Sequence, residues 1–396
     1  MKNVLLYYSF SFALGGGEYL PLAFIAALQK TSNLTVAVDQ AGNFERSYKA
    51  FGTGLDIDLS RLKIVQVTPP DYDPRRHNVL ASLRRFRRLR HLARSADVCI
   101  STSSIMDFGK PAHHFINMLA FGDDAFTDYV HGRSSRARGD MMTKAKRFFS
   151  NSILRPILGM RSKRSIICDR RQHIYPNSQY VEKTMKDFYG PFNSRVFYPP
   201  TLFEAEPTDV VRDPLKVVYI GRIIPDKRIE DLVAIVERAR AVTGLDIAFH
   251  VAGRLDQTPS YGRKLDMMAQ ERNWLKFVGA LYGEEKMRFL TSGTYAIHAE
   301  RDEAFGISIT EYLKAGLIPI VPDEGGTVEI VDAPELTYHT PEDAAQILTR
   351  LLRDESFREG LLRHCGERAK LFSAQAYMES QRRTLEKILA GTDGSA

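Results

Sequence analysis

Cysteine is nearly absent. There are three in 396 residues, Cys99, Cys168 and Cys365, far apart and without metal-ligand spacing. That pattern excludes a disulfide framework and a thiolate metal site, and it points to a reducing cytoplasm. Long apolar runs are also missing: no stretch approaches the roughly 18 residues needed to span a bilayer. The opening "MKNVLLYYSF" has one lysine and a short apolar run, followed by "SFALGGGE". It reads as a first β-strand entering a glycine loop, not as a secretory signal. No complete G-x-G-x-x-G follows that strand, so a nicotinamide cofactor is not indicated.

Acidic residues are scarce in one half only. Residues 1–203 hold 30 Lys and Arg against 16 Asp and Glu, whereas the remainder holds 25 against 32. A basic half joined to an acidic half implies different partners for the two, with something anionic meeting the first. At this length two domains are expected. The composition, 44% hydrophobic and 26% charged, is that of a globular protein.

Both halves alternate short buried strands with amphipathic helices. "NVLLYYSF", "NLTVAVD", "LKIVQV", "DVCIST" and "HHFINML" read as strands of the first half, and "LKVVYIG", "DIAFHVAG", "LKFVGA", "TYAIHAE" and "LIPIVP" as strands of the second. Such alternation predicts α/β domains with parallel sheets covered on both faces. The proline-rich stretch "VFYPPTLFEAEPTDVVRDP" is the linker candidate. Expected boundaries are residues 1–205, 206–374 and a C-terminal helix, 375–396, packing back on the first domain. Two doubly wound, Rossmann-like domains facing a cleft are the expected architecture.

Ligands of open α/β sheets bind beyond the carboxyl ends of the strands. After the first strand, Gly16 and Gly17 leave the backbone open for a ligand or for a tight turn, and Glu18 favours the helix dipole. In "VVYIGRIIPDK", Gly221, Arg222 and Lys227 place two cations at a strand end, suited to a diphosphate. Gly253 and Gly279 end the next two strands. In "TYAIHAERDEAFGISITEYLKAG", Glu303 and Glu311 are separated by seven residues, with Gly306 between them. Gly306 begins a helix whose Ile307 and Ser308 N–H groups face an anion, and Gly316 ends it. Carboxylates repel phosphate and accept from hydroxyls. Phosphates in the middle and polyols at both ends describe a nucleotide sugar. A paired-carboxylate hydrolase leaves the glycines and cations after the other strands unexplained.

Glu303 and Glu311 within "EAFGISITEYLKAG", the following "PDEGGTVEIV", and "GRIIPDK" together resemble the retaining glycosyltransferases of GT-B fold, family-4 type, also called glycosyl transferases group 1. "YPNSQYVEKTMKDFYG" followed by "VFYPP" is similar to that family's segment before the linker. The resemblance is strong over about residues 165–335 and weaker before, where "GGGE" is its main support. It implies a retaining hexosyltransferase whose co-substrate is a nucleoside-diphosphate sugar and which needs no metal or other cofactor. The "DYD" at 71–73 lies in a proline-flanked loop and reads as a turn. Arg222 and Lys227 would bind the diphosphate, Glu311 the ribose, and Glu303 the sugar near the reacting carbon. Phe305, Gly306 and Ile307 would line the sugar and phosphate, and Gly16 and Gly17 would approach from the first domain. Family members often carry a histidine where Asn117 stands here. His113, His114 or His131 would substitute, with His131 the choice, or Asp123 and Asp124 would face the acceptor instead.

The acceptor is the open question. "LRRFRRLRHLAR" sets six arginines around Leu83, Phe86, Leu89 and Leu92, with no acidic residue from 80 to 94. A solvated helix face is the ordinary explanation, but interleaved acids are then expected. A second basic stretch, "KAKRFFSNSILRPILGMRSKR", adds phenylalanines and aliphatics. An anionic membrane surface fits both, and with it a lipid-linked or cell-envelope glycan acceptor on the inner face of the cytoplasmic membrane. Nucleic acid is the competing acceptor. A non-catalytic binder of nucleotide sugars or nucleic acid is the remaining alternative.

Overall fold

The computed structural model describes residues 1–9, 18–52, 54–69, 79–102, 104–119, 124–133, 157–201, 210–255 and 259–392. Within these ranges it gives only the backbone of Asp124 and His131. The chain forms two compact units, residues 1–200 with 377–396, and residues 201–376. The division falls inside the proline-rich stretch.

The first unit is a sheet of six parallel strands: β1 (Lys2–Tyr8), β2 (Ser32–Val38), β3 (Lys63–Gln66), β4 (Val98–Ser101), β5 (His113–Ile116) and β6 (His173–Pro176). Their order is β3-β2-β1-β4-β5-β6. The second unit has β7 (Lys216–Ile220), β8 (Ala248–Ala252), β9 (Leu275–Gly279), β10 (Tyr295–Ile297), β11 (Ile318–Pro322) and β12 (Thr337–Tyr338). It is also parallel, in the order β9-β8-β7-β10-β11-β12. Counted from its own first strand, each sheet therefore has the Rossmann order, in which the winding reverses between the first and fourth strands. The fold is two Rossmann-like units, as the alternation predicted. β6 and β12 escaped prediction because "HIYP" and "TY" are too short to show a period.

The inner strands β7 and β11 are almost wholly apolar because helices cover both faces, whereas the edge strands β3 and β9 are partly exposed. In β11 all five residues are buried, and in β7 all but the first. In the first unit Phe115 stacks on Tyr175 at 4.3 Å and meets Phe24 edge-on at 4.7 Å. The C-terminal helix Ala374–Ala390 adds Leu385 and Ile388 to this core, and Tyr377 contacts Phe197 at 5.9 Å. Leu385 and Ile388, three residues apart, lie on one helix face, which is why this segment returns to the first sheet.

The Val79–Ala93 helix departs from the picture of a freely solvated basic face. Phe86, Leu89 and Ala93 are buried, with Leu89 and Ala93 in the core. Arg85 pairs with buried Asp39 at 3.1 Å, Arg90 with Asp107 at 2.9 Å, and Arg88 donates to the Gln66 carbonyl at 2.8 Å. The acids missing from the helix come from other segments, which local spacing does not reveal. Arg84, Arg87 and Arg94 remain exposed. Most of the second basic stretch, like "DYD", lies outside the described residues. Among the described residues, no helix is long and apolar enough to cross a membrane.

Candidate functional site

The second sheet reverses its winding between β7 and β10, and there the charged side chains converge. Gly221 and Arg222 follow the end of β7. The chain then makes a 3-10 turn, Pro225–Lys227, whose next residue, Arg228, takes the left-handed conformation at φ 50°. A non-glycine residue held there costs about 1 kcal/mol. The turn brings Lys227 under the loop that leaves β10. Its ammonium donates to Oε2 of Glu303 at 2.5 Å and to Oε2 of Glu300. The three side chains are only 12–23% exposed. Burial works against the Glu303 charge but is outweighed by Lys227, so its carboxyl is held below its ordinary range. Burial likewise opposes the Lys227 charge, and Glu303 and Glu300 raise its pKa all the same. Both groups are ionised at neutral pH.

His298, the last residue before this loop, is 2% exposed and lies 3.7 Å from Glu303. Burial, then the nearby Lys227 charge, lowers its pKa to about 3, so the ring is neutral and the contact is not an ion pair. His298, Glu300 and Glu303 bring ligating atoms within 4.8 Å of one another, a set able in composition to hold a cation. The ammonium of Lys227 already bridges the two carboxylates.

Bare backbone builds the rest of the loop. The N–H of Gly326 donates to the Glu303 carbonyl at 2.8 Å. A Cβ on Gly326 would lie 2.4 Å from the Ala304 carbonyl oxygen, and one on Gly325 would lie 2.6 Å from that of Arg301. This pair therefore clamps the Glu303 loop by backbone contact alone. Gly306, at φ 106°, starts the helix Ile307–Lys314, and a Cβ there would come within 2.8 Å of Thr327. In the first turn Ile309 and Thr310 donate to the Gly306 carbonyl at 2.9 and 3.4 Å, and the Ile307 and Ser308 N–H groups precede the first intrahelical bond. Phe305 is 2% exposed and packs edge-on against Phe372, so its ring belongs to the core and does not line an open site.

The same helix fixes the end of β7. Buried Tyr312 accepts from the Ile220 N–H at 2.8 Å through its hydroxyl, which also donates to the Ile220 carbonyl. Tyr312, next to Glu311, thus ties this helix to the last residue of β7, just before Gly221 and Arg222. Arg222 is exposed and forms no ion pair among the described residues, though its charge helps lower the Glu303 pKa. Glu311 is 7% exposed and receives Lys286 at 2.6 Å.

Gly221, Gly253 and Gly279 end neighbouring strands. Gly253 donates to the Gly279 carbonyl at 2.7 Å, and a Cβ on it would overlap the Gly221 carbonyl oxygen at 1.8 Å. Close packing of strand ends accounts for glycine at 253 without any ligand.

In the first unit, Asn117 lies past the end of β5 and donates to the Thr102 carbonyl at 2.9 Å, bridging the ends of β4 and β5. His113 and His114 are built into β5. His113 stacks on His173 and bonds the Tyr175 hydroxyl at 3.0 Å, and His114 bonds Gln172 at 3.2 Å. Glu18 is buried and accepts from Ser47, with no side-chain cap bond to its helix. The helix Asp124–Arg133 carries Asp124 and His131 on its backbone, but Gly16, Gly17 and Asp123 lie outside the described residues.

Sequence reasoning missed Glu300, His298 and Lys286 as members of the constellation, and it quoted Gly325 and Gly326 without assigning them a role. Glu300 had a signal, since it follows a predicted strand. Lys286 had none, because it meets Glu311 only through the packing of two helices.

Residues 203–372 match the family described as Glycosyl transferases group 1. A curated relative, the phosphatidylinositol N-acetylglucosaminyltransferase gpi3 subunit of Schizosaccharomyces pombe, is 25% identical over 155 residues. That match covers 38% of this chain and spans about a third of the relative's length, 33%. Among solved structures, HepE of Anabaena in complex with UDP and glucose is similar at TM-score 0.67 and 14% identity, covering 99% of this chain and all of the other. WaaG, a glycosyltransferase involved in lipopolysaccharide biosynthesis, is similar at TM-score 0.65 and 11% identity, with 97% and 99% covered. At such identities the likeness is one of fold. The segment 203–372, nearly all of the second unit, is thus similar to the glycosyl transferases group 1 family, in a chain whose fold is that of the two-sheet GT-B structures.

Proposed function

We propose that the protein is a retaining, metal-independent glycosyltransferase that moves a hexose from a nucleoside-diphosphate sugar to a hydroxyl acceptor. The observation that carries this is the ion-paired cluster of Lys227, Glu303 and Glu300 at the winding reversal of the second sheet. Ligands of such sheets bind at that place.

In this reading the diphosphate lies against Arg222, Lys227 and the N-terminus of the Ile307–Lys314 helix. Glu311 takes the ribose hydroxyls, and Glu303 takes sugar hydroxyls beside the reacting carbon. The bond from that carbon to the diphosphate oxygen breaks, and its electron pair leaves with the nucleotide. The acceptor oxygen bonds to the same face, and its proton passes to the departing phosphate. Cations fixed before reaction stabilise the charge that develops.

The first unit would hold the acceptor, with Asn117, Asp123, Asp124 and His131 as its candidates. A lipid-linked or cell-envelope glycan at the inner membrane face is supported by the basic first half and by exposed Arg84, Arg87 and Arg94. Nucleic acid is the less favoured acceptor.

The test is thermal unfolding with UDP, GDP, ADP and CMP in turn, followed by transfer or slow hydrolysis of the matching sugar nucleotides. A ligand at 100 times its Kd should stabilise by about 2.7 kcal/mol. One nucleoside diphosphate should raise the midpoint, and Arg222→Ala should abolish the response. Binding without turnover in any common sugar nucleotide would instead identify a binding protein.

A further inference from the structure

Glu300 has no part in the roles above, yet it is bound to their centre. It leaves β10 three residues before Glu303, and its Oε2 accepts from the same ammonium. A lysine ammonium has three N–H donors and no acceptor. Two of those donors are engaged by carboxylates, one of which is needed for sugar hydroxyls. A cation shared between two anions holds each more weakly than it would hold one alone.

We propose that Glu300 is a positioning residue for the donor sugar. By sharing Lys227, it keeps Glu303 out of a one-to-one ion pair and available to sugar hydroxyls. It also moderates the pull of Lys227 on the diphosphate, so that the nucleotide product can leave. The inference rests on the donor-site reading, and it adds a discrimination between the sugar nucleotide and the bare nucleoside diphosphate.

Glu300→Gln tests it, since this substitution keeps the shape and a carbonyl acceptor while removing the charge. Lys227 then turns to Glu303 and to the diphosphate. Dissociation constants are measured by calorimetry for whichever of UDP, GDP and ADP the wild-type protein binds, and for its glucose conjugate. The ratio of the sugar-nucleotide constant to the nucleoside-diphosphate constant should rise about tenfold, the diphosphate itself binding as tightly or more tightly. Glu300→Asp, which keeps the charge, should restore most of the wild-type ratio.

A residue that only supports the loop would weaken both ligands by the same factor, and that result, or no change in the ratio, overturns the proposal. Weaker diphosphate binding by Glu300→Gln overturns it too. If the wild-type protein binds no nucleoside diphosphate at all, the donor-site reading falls first and the role of Glu300 falls with it. That outcome is read on the unmutated protein alone.

Discussion

Lys227 donates to Glu303 at 2.5 Å across a separation of 76 positions. The bond joins the loop after β7 to the loop after β10, so it reports that the winding reversal of the second sheet is correctly assembled. Lys227→Met leaves Glu300 and Glu303 as neighbouring carboxylates with no cation between them. We expect a loss of about 3 kcal/mol in stability and at least a hundredfold in transfer rate, read by urea unfolding and by product formation. Loss of stability with normal transfer would remove Lys227 from the chemistry.

The Glu303 loop is held by glycine backbone, so a methyl group there acts on the site without touching a ligand. Gly326→Ala would push a Cβ against the Ala304 carbonyl, and overpacking of this sort costs about 1–3 kcal/mol. Transfer should fall at least tenfold. Gly244→Ala is the contrast, because nothing lies within 4 Å of its Cβ position although its φ is 72°. It should cost about 1 kcal/mol and leave transfer intact.

Lys286 orients Glu311, and the reading of Glu311 as a ribose ligand has a direct check. Glu311→Gln should reduce the preference for UDP, or the diphosphate that binds, over its 2′-deoxy form about tenfold. Lys286→Met should weaken nucleotide binding several-fold, in the range of about 1 kcal/mol. Equal binding of ribo and deoxyribo forms by the wild-type protein would remove the role from Glu311.

Acid should weaken the first unit before carboxylates protonate. Burial, with His173 and His114 nearby, lowers the His113 pKa to about 3. Burial likewise lowers that of His114 to about 4, against its ring N–H bond to the Gln172 oxygen, which favours the charged form. Each ring stays neutral in the folded state while the unfolded chain takes up protons below about 6.5. The stabilisation is therefore complete above that pH and is lost as pH falls toward 3–4. The slope is up to ~1.4 kcal/mol per pH unit for each ring. Urea unfolding at pH 7, 6 and 5 measures it, and His114→Gln should flatten the curve.

The Lys227–Glu303 pair adds limits at both ends. The Glu303 pKa is depressed, so its contribution is present above the ordinary glutamate value and lost as pH falls through the folded one. The Lys227 pKa is raised, so its contribution is present below the ordinary lysine value and lost as pH rises through the folded one. Donor binding should follow the same plateau, measured as nucleotide affinity against pH. A single titration near neutrality would contradict it.

By itself the sequence determined the strand–helix alternation, ten of the twelve strands among the described residues, and the residues that follow β7 and β10. Apolar runs and glycines are local signals, and a buried strand between turns needs no distant partner to be recognised. It also placed Glu303 and Glu311 around the helix that Gly306 starts. What only the tertiary structure decided is which charges meet. Asp39 neutralises Arg85, Asp107 neutralises Arg90, and Lys286 finds Glu311, each through elements brought together by sheet order. The inclusion of Glu300 in the Lys227 pair belongs here as well. Ion pairing depends on distance in space, and the order in which strands assemble does not follow their order along the chain.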